Sequence, residues 1–220
     1  MVEIKKQFKA DLVGCNFVYG RDRKPFVETP QRYKTVVMNR REALRARATE
    51  QFPVASWSML YDNDLLQANH VRFRDGMCED IVFTYRAISV ASRICYYRGP
   101  LYKYVLSRTT FCSTFPDVRG QSEIDNYDWL ATRVHQTEDG EFLVKRFTLL
   151  RMRSAGHLPY RSFMTYVKGE AFRQMLAKKP SAQVMLEGGI ERTFSTSYYL
   201  TIRLFFMLYY YRSGRMFTRI

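Results

Sequence analysis

The chain is poor in the residues that build metal sites and disulfide frameworks. Only four cysteines and three histidines occur in 220 residues. Cys15, Cys78, Cys95 and Cys112 are widely spaced, with no C-x-x-C pair, and none of His70, His135 and His157 falls beside a cysteine. This spacing argues against a structural zinc site. It reads as free thiols in a reducing cytoplasm. The charged start, Met1-Val2-Glu3-Ile4-Lys5-Lys6, is followed by no apolar h-region, so no secretion signal is expected. A clean transmembrane run is also lacking. The most apolar stretch, residues 198–211, is interrupted by Arg203 and is shorter than the roughly 20 residues a span needs. Internal repeats and low-complexity tracts are absent.

What is present is apolar, aromatic and basic. Hydrophobic residues make up 46% of the chain, with 16 Tyr and 16 Phe. That content argues against disorder and suffices for one domain, or one domain with an extension. The formal net charge is +14. Residues 1–116 carry 19 Lys and Arg against 11 Asp and Glu, and residues 117–220 carry 16 against 10, so the excess is dispersed. Two readings stay open: a generally basic soluble protein, or a protein with an anionic partner such as nucleic acid, an anionic membrane surface or a phosphorylated substrate.

Apolar periodicity divides the chain near Phe115-Pro116. Before that point the pattern mixes strands and helices. Residues 10–19 read as a buried strand ending at Gly20, and Phe26-Val27 as the start of a returning strand. Asn39 with Glu42 three residues on forms a capping-box signal for a helix through Ala48. The spacing then predicts a helix over 54–69, a short extended piece at Val71-Arg72-Phe73, and a turn at Arg74-Asp75-Gly76. A helix follows from Glu79-Asp80, and two strands flank a turn at Gly99-Pro100. From Gln121 onward the periods are helical, over 122–137, 141–155, 160–177 and 196–212. The expected class is α/β, a mixed sheet with flanking helices in 1–116, followed by a helical C-terminal tail in 117–220.

One ordered block stands out within 56–114. Trp57 is followed by Leu60-Tyr61, Leu65-Leu66, Val71-Arg72-Phe73, Gly76, Glu79-Asp80 and Phe83, then by Pro100-Leu101-Tyr102 and Tyr104. This order and spacing resemble family 2 glycosyltransferases of the GT-A fold, of the type that builds bacterial capsules, exopolysaccharides and lipopolysaccharide. Their pattern runs from a tryptophan through Lys-Leu-Tyr, a Leu-rich helix and a short Ile/Val-x-Phe strand. It continues through a glycine and a Glu-Asp pair to a helix and a Leu-Tyr-x-Tyr strand. Met59 departs from it, standing where the family usually has lysine. The resemblance covers about 60 residues strongly and residues 1–50 more loosely.

The resemblance implies transfer of a sugar from a nucleotide donor to a glycan or lipid-linked acceptor, with inversion at the anomeric carbon. Such chemistry needs a carboxylate that takes the proton of the attacking hydroxyl. The resemblance assigns that role to Asp80, with Glu79 as its orienting neighbour. The alternative for both is ordinary helix capping, since carboxylates suit a first helical turn. Trp57 and Tyr61 either line an acceptor pocket, because aromatic faces pack against sugar rings, or simply pack in the core. Arg108 either meets a phosphate of the donor or acceptor or is a surface cation.

The resemblance also implies a divalent metal, Mn or Mg, held with the donor diphosphate by an Asp-x-Asp motif in an upstream half. The only such spacing here, Asp62-Asn63-Asp64, falls inside the predicted helix after Trp57 and reads as a surface feature. The metal ligands are therefore expected outside this chain, and the chain alone is expected to transfer no sugar. The tail over 198–217, aromatic with Arg203, Arg212 and Arg215, either lies on an anionic membrane surface or packs as a terminal core helix. The first option implies a cytoplasmic enzyme peripheral at the inner face of the plasma membrane. Nucleic acid is not an expected partner, because no binding motif accompanies the dispersed charge. A basic nucleic-acid-binding protein and a non-catalytic remnant of the same fold remain the competing functions.

Overall fold

The structure, a computed structural model, describes residues 1–20, 33–105, 116–134 and 137–156, together with Leu158, Phe163 and Tyr166. The expectations for Phe26-Val27, Arg108, the helix over 196–212 and nearly all of that over 160–177 lie outside the described residues.

A mixed four-stranded sheet is the centre of the chain, in the order β2-β4-β1-β3. The apolar run predicted at 10–19 forms β1, Leu12–Gly20, whose first residues are fully buried. It pairs in parallel with β4, Arg93–Val105, and antiparallel with β3, Met59–Tyr61. The outer strand β2, Thr35–Asn39, runs antiparallel to β4. Gly14 is needed in β1 because a Cβ there would lie 2.9 Å from the Phe52 ring.

Helix α1, Val2–Phe8, and α2, Arg40–Ala48, precede the site. The capping box of α2 is formed as the sequence predicts. Glu42 N donates to Asn39 Oδ1 and Asn39 N donates to Glu42 Oε2, both at 2.9 Å. This satisfies two orphan donors of the first turn. Helices α3, Asn63–Ala68, and α4, Asp80–Val90, follow β3. Helices α5, Pro116–Val134, and α6, Gly140–Gly156, complete the described chain. Helix α5 begins earlier than its apolar period suggested, with Pro116 at the first position, where a missing N–H costs nothing.

The two sheet faces carry unequal cores. Leu12, Phe52, Ile88, Ile94, Leu130 and Phe147 belong to one large cluster shared by β1, β4, α4, α5 and α6. The other cluster is small: Ala10, Val13 and Cys95, covered by Met1, Ile4, Phe8 and Leu60. No helix among the described residues is long and apolar enough to cross a membrane.

Two local predictions are corrected. Residues 54–69 are not one helix: a 3-10 turn at Ser56–Ser58 leads into β3, and only Asn63–Ala68 is α-helical. The apolar spacing fits a helix, but pairing of β3 with Leu12, Val13 and Gly14 pulls the chain into the sheet. Gly99-Pro100 is likewise no hairpin turn. Residues 93–105 form one strand, and the partner changes from Tyr97 to Pro100 to Tyr102 across consecutive residues of β1. The extra residues form a bulge, where a proline without an N–H is tolerated. Asn16 Nδ2 donates to Arg98 O at 2.8 Å, satisfying a carbonyl within the irregularity.

Candidate active site

The site forms where the 3-10 turn before β3 faces the first turn of α4. Gly76, at φ 112°, takes a conformation that side chains disfavour. The loop it belongs to is fixed from outside: Asn126 Nδ2 on α5 donates to Met77 O at 3.2 Å and to Cys78 O at 3.1 Å. The chain then enters α4 with Glu79 as N-cap and Asp80 as the first helical residue. Thr84, buried one turn on, donates its hydroxyl to Asp80 O at 2.6 Å.

Asp80 is half-buried, and its carboxylate accepts a hydrogen bond from the Ser56 hydroxyl. It caps nothing: α4 has no side-chain cap hydrogen bond, from Glu79 or any other residue. No ion pair ties Asp80 to a cation among the described residues. It stands at the positive end of the α4 dipole. Capping, the ordinary explanation for a carboxylate at this position, does not occupy the side chain.

Tyr61 joins the same cluster. Its hydroxyl donates to Ser56 O at 3.2 Å, and its ring meets Phe83 edge-on at 5.3 Å. Burial pushes its phenol up from the ordinary value, and the neighbouring Asp80 charge adds to the shift while Arg47 opposes it. The phenol therefore stays a neutral donor at physiological pH. Arg47 lies fully buried on the other side, with Nε donating to Thr84 Oγ1 at 3.3 Å. Burial pushes its guanidinium below the ordinary value, and Tyr127 beside it opposes that.

Trp57 sits one residue from Ser56 and faces the far end of the sheet. Its ring lies 5.1 Å from Tyr104, 4.6 Å from Tyr102 and 4.7 Å from Phe17. Pairing of Phe17 with Tyr102 and of Tyr19 with Tyr104 sets these rings side by side. Tyr19 is 66% exposed and Tyr102 40%, so the aromatic wall is open on one side. Asp80 and Tyr61 thus both bond to Ser56, Glu79 adjoins Asp80 in the chain, and the Trp57 ring turns instead to Phe17, Tyr102 and Tyr104. Arg108 lies outside the described residues.

Asp62-Asn63-Asp64 follows directly on β3 and opens a helix rather than lying inside one: Asp62 is the N-cap of α3, and Asn63 and Asp64 are its first two residues. Asp62 accepts from Leu65 N at 3.1 Å as the N-cap of α3, and its other oxygen takes the Lys5 ammonium at 2.9 Å. With one carboxylate so engaged and Asp64 exposed, these residues do not fit a metal–diphosphate site. No group of three or more His, Cys, Asp or Glu converges among the described residues.

Ser56 and Thr84 were not singled out from the sequence. Ser56 reaches Asp80 across 24 positions, so no local spacing announces the contact. Thr84 stands four residues after Asp80, a helical spacing that is legible once the helix start is known. No family model matches the chain, and no curated protein matches it.

Proposed function

We propose that this chain is the acceptor side of a family 2-like, GT-A-type glycosyltransferase, with Asp80 as the base that takes the acceptor proton. The observation that carries the reading is the Asp80 carboxylate itself. It stands at a helix start, half-buried, without a cap, without a paired cation among the described residues, and oriented by the Ser56 hydroxyl. A general base needs a free lone pair on a rigidly held carboxylate, and a carboxylate spent on a cap or an ion pair lacks one. Glu79 flanks it on the same turn. Trp57, with Tyr102 and the exposed Tyr19, supplies flat apolar surface of the kind sugar rings stack on. Tyr61 holds the turn by donating to Ser56 O.

The donor sugar nucleotide and its Mn or Mg ion belong, in this reading, to an Asp-x-Asp half outside the chain. The test joins the chain to such a half, in frame or in trans, and measures transfer of labelled sugar to glycan and lipid-linked acceptors. Asp80→Asn is expected to abolish transfer while Asp62→Asn retains it. Unchanged turnover in Asp80→Asn overturns the assignment of the base. Robust transfer by the 220-residue chain alone overturns the placement of the donor half elsewhere.

A further inference from the structure

Some arginines of the described chain are neutralised by carboxylates. Arg41, Arg45, Arg119, Arg151 and Arg153 each meet a carboxylate. Arg74 and Arg133 instead lie against one aromatic ring. Arg74 Cζ lies 4.8 Å from the centroid of the Trp129 ring, and Arg133 Cζ lies 4.0 Å from the same centroid. Both arginines are exposed, Trp129 is half-buried, and neither guanidinium pairs with a carboxylate among the described residues. The nearby acids on α5 are otherwise engaged: Asp128 takes Arg151, and Asp125 accepts from Gln121 Nε2 at 2.8 Å. Asp75, beside Arg74 in sequence, is exposed.

Two like charges on one ring are a cost unless something anionic joins them. Both arginines are nevertheless held in place. Arg133 Nη1 donates to Trp129 O at 3.3 Å and to Thr132 Oγ1 at 3.2 Å. Arg74 follows Phe73, whose ring stacks on Phe83 at 3.8 Å. The same loop is pinned to α5 through Asn126. A cation–π contact uses the face of a guanidinium and not its N–H edges, and of the Arg133 edge only Nη1 is engaged among the described residues. Two guanidinium groups supply the charge and the N–H donors that a phosphate dianion takes, whereas a lone carboxylate is neutralised by one.

We propose that Arg74 and Arg133, held against Trp129, form a binding site for a phosphate group. The site lies where α5 meets the loop that leads into Asp80, and it stands independently of the transfer reading. Two ligand sources share this chemistry, a soluble phosphate ester and the headgroup of a phospholipid.

The test uses tryptophan emission. The chain has two tryptophans, so Trp57→Phe leaves Trp129 as the reporter. Pyrophosphate is titrated at fixed ionic strength, with chloride as the balancing anion. Saturable change in Trp129 emission is expected. Losing one charge-assisted contact should weaken it about tenfold or more, in Arg74→Ala and in Arg133→Ala. The Arg74→Lys and Arg133→Lys variants keep the charge, guard against misfolding, and should still bind more weakly than the parent because the fork is gone. Arg98→Ala, an exposed arginine on β4, should bind as the parent does. No saturable change, or equal weakening in Arg98→Ala, overturns the proposal by reducing the effect to bulk charge. Two further arms, a nucleoside diphosphate and vesicles containing phosphatidic acid, identify the source by which of them competes with pyrophosphate.

Discussion

Asp62 and Asp80 both stand where the chain enters a helix, yet their partners differ. The Asp62 carboxylate is fully committed: one oxygen caps α3 through Leu65 N, and the other pairs with Lys5 and ties α1 to the end of β3. The Asp80 carboxylate caps nothing, pairs with no described cation, and takes its hydrogen bond from a hydroxyl that arrives from a distant turn. A carboxylate surrounded by fixed donors is stabilised as an ion and contributes to folding. A carboxylate held by one hydroxyl keeps lone pairs for a proton. Position at a helix start is therefore silent about role, and the partners decide it.

The comparison breaks first at catalysis. Asp80→Asn removes the base and leaves the shape, and a positioned general base contributes about 10²–10⁴-fold. Transfer by the protein carrying a donor half should fall by that factor. Its urea midpoint should stay close to the parent value, because no cap or ion pair is lost. A large fall in stability would place Asp80 in the same structural class as Asp62.

A smaller loss is expected when the hydroxyl is removed. Ser56→Ala leaves the base but not its orientation, and misplacement of a reacting group costs up to about 10²-fold. The loss should appear in kcat, with KM little changed, since Ser56 faces Asp80 rather than an acceptor. A rise in KM alone would show that the turn shapes the acceptor pocket instead.

Sequence periodicity revealed the frame of this site better than its contacts. The capping box at Asn39 and Glu42 was legible because its partners lie three residues apart. Strand β1 was legible because it is a buried apolar run. Strand β3 was not, because three residues that pair with distant Leu12, Val13 and Gly14 carry no period of their own. Asp62 was consequently read as mid-helix, although it is an N-cap. Gly99-Pro100 read as a turn because both residues break local structure, while the parallel register with β1 absorbed them as a bulge. Asp80, Glu79, Trp57 and Tyr61 were named from their order along the chain. Ser56, which orients Asp80, acts through a contact that order alone does not encode.

The other half of the comparison is a matter of stability. Asp62→Ala removes the α3 cap, which costs typically about 1 kcal/mol. Asp62→Asn keeps a capping oxygen and loses only the ion pair with Lys5. That pair is partly exposed, with side-chain exposures of 27% and 37%, so screening limits it to roughly 0.2–1 kcal/mol. Chemical denaturation should rank the parent above Asn and Asn above Ala. Reversal of the two variants would mean that the ion pair, not the cap, is what holds β3 to α1.

The smallest effect is its pH dependence. Lys5, and then the Leu65 N–H, hold the Asp62 carboxyl below the usual carboxylate range. Arg41 does the same for Asp139 at the start of α6. A carboxylate whose folded pKa lies below its unfolded value of about 3.9 stabilises the fold fully above that value, and the contribution is lost as pH falls through the folded pKa. Parent protein should therefore lose stability on acidification below about pH 5 more steeply than Asp62→Asn does. Asp62→Asn should still lose some, through Asp139, and a double variant with Asp139→Asn should be flatter again. If Asp62→Asn kept the parent's full acid slope, the Lys5 contact would contribute nothing in solution. The contrast would then rest on the cap alone, with Asp62 as a neutral-equivalent acceptor and Asp80 distinguished from it only by the lack of a backbone N–H to serve.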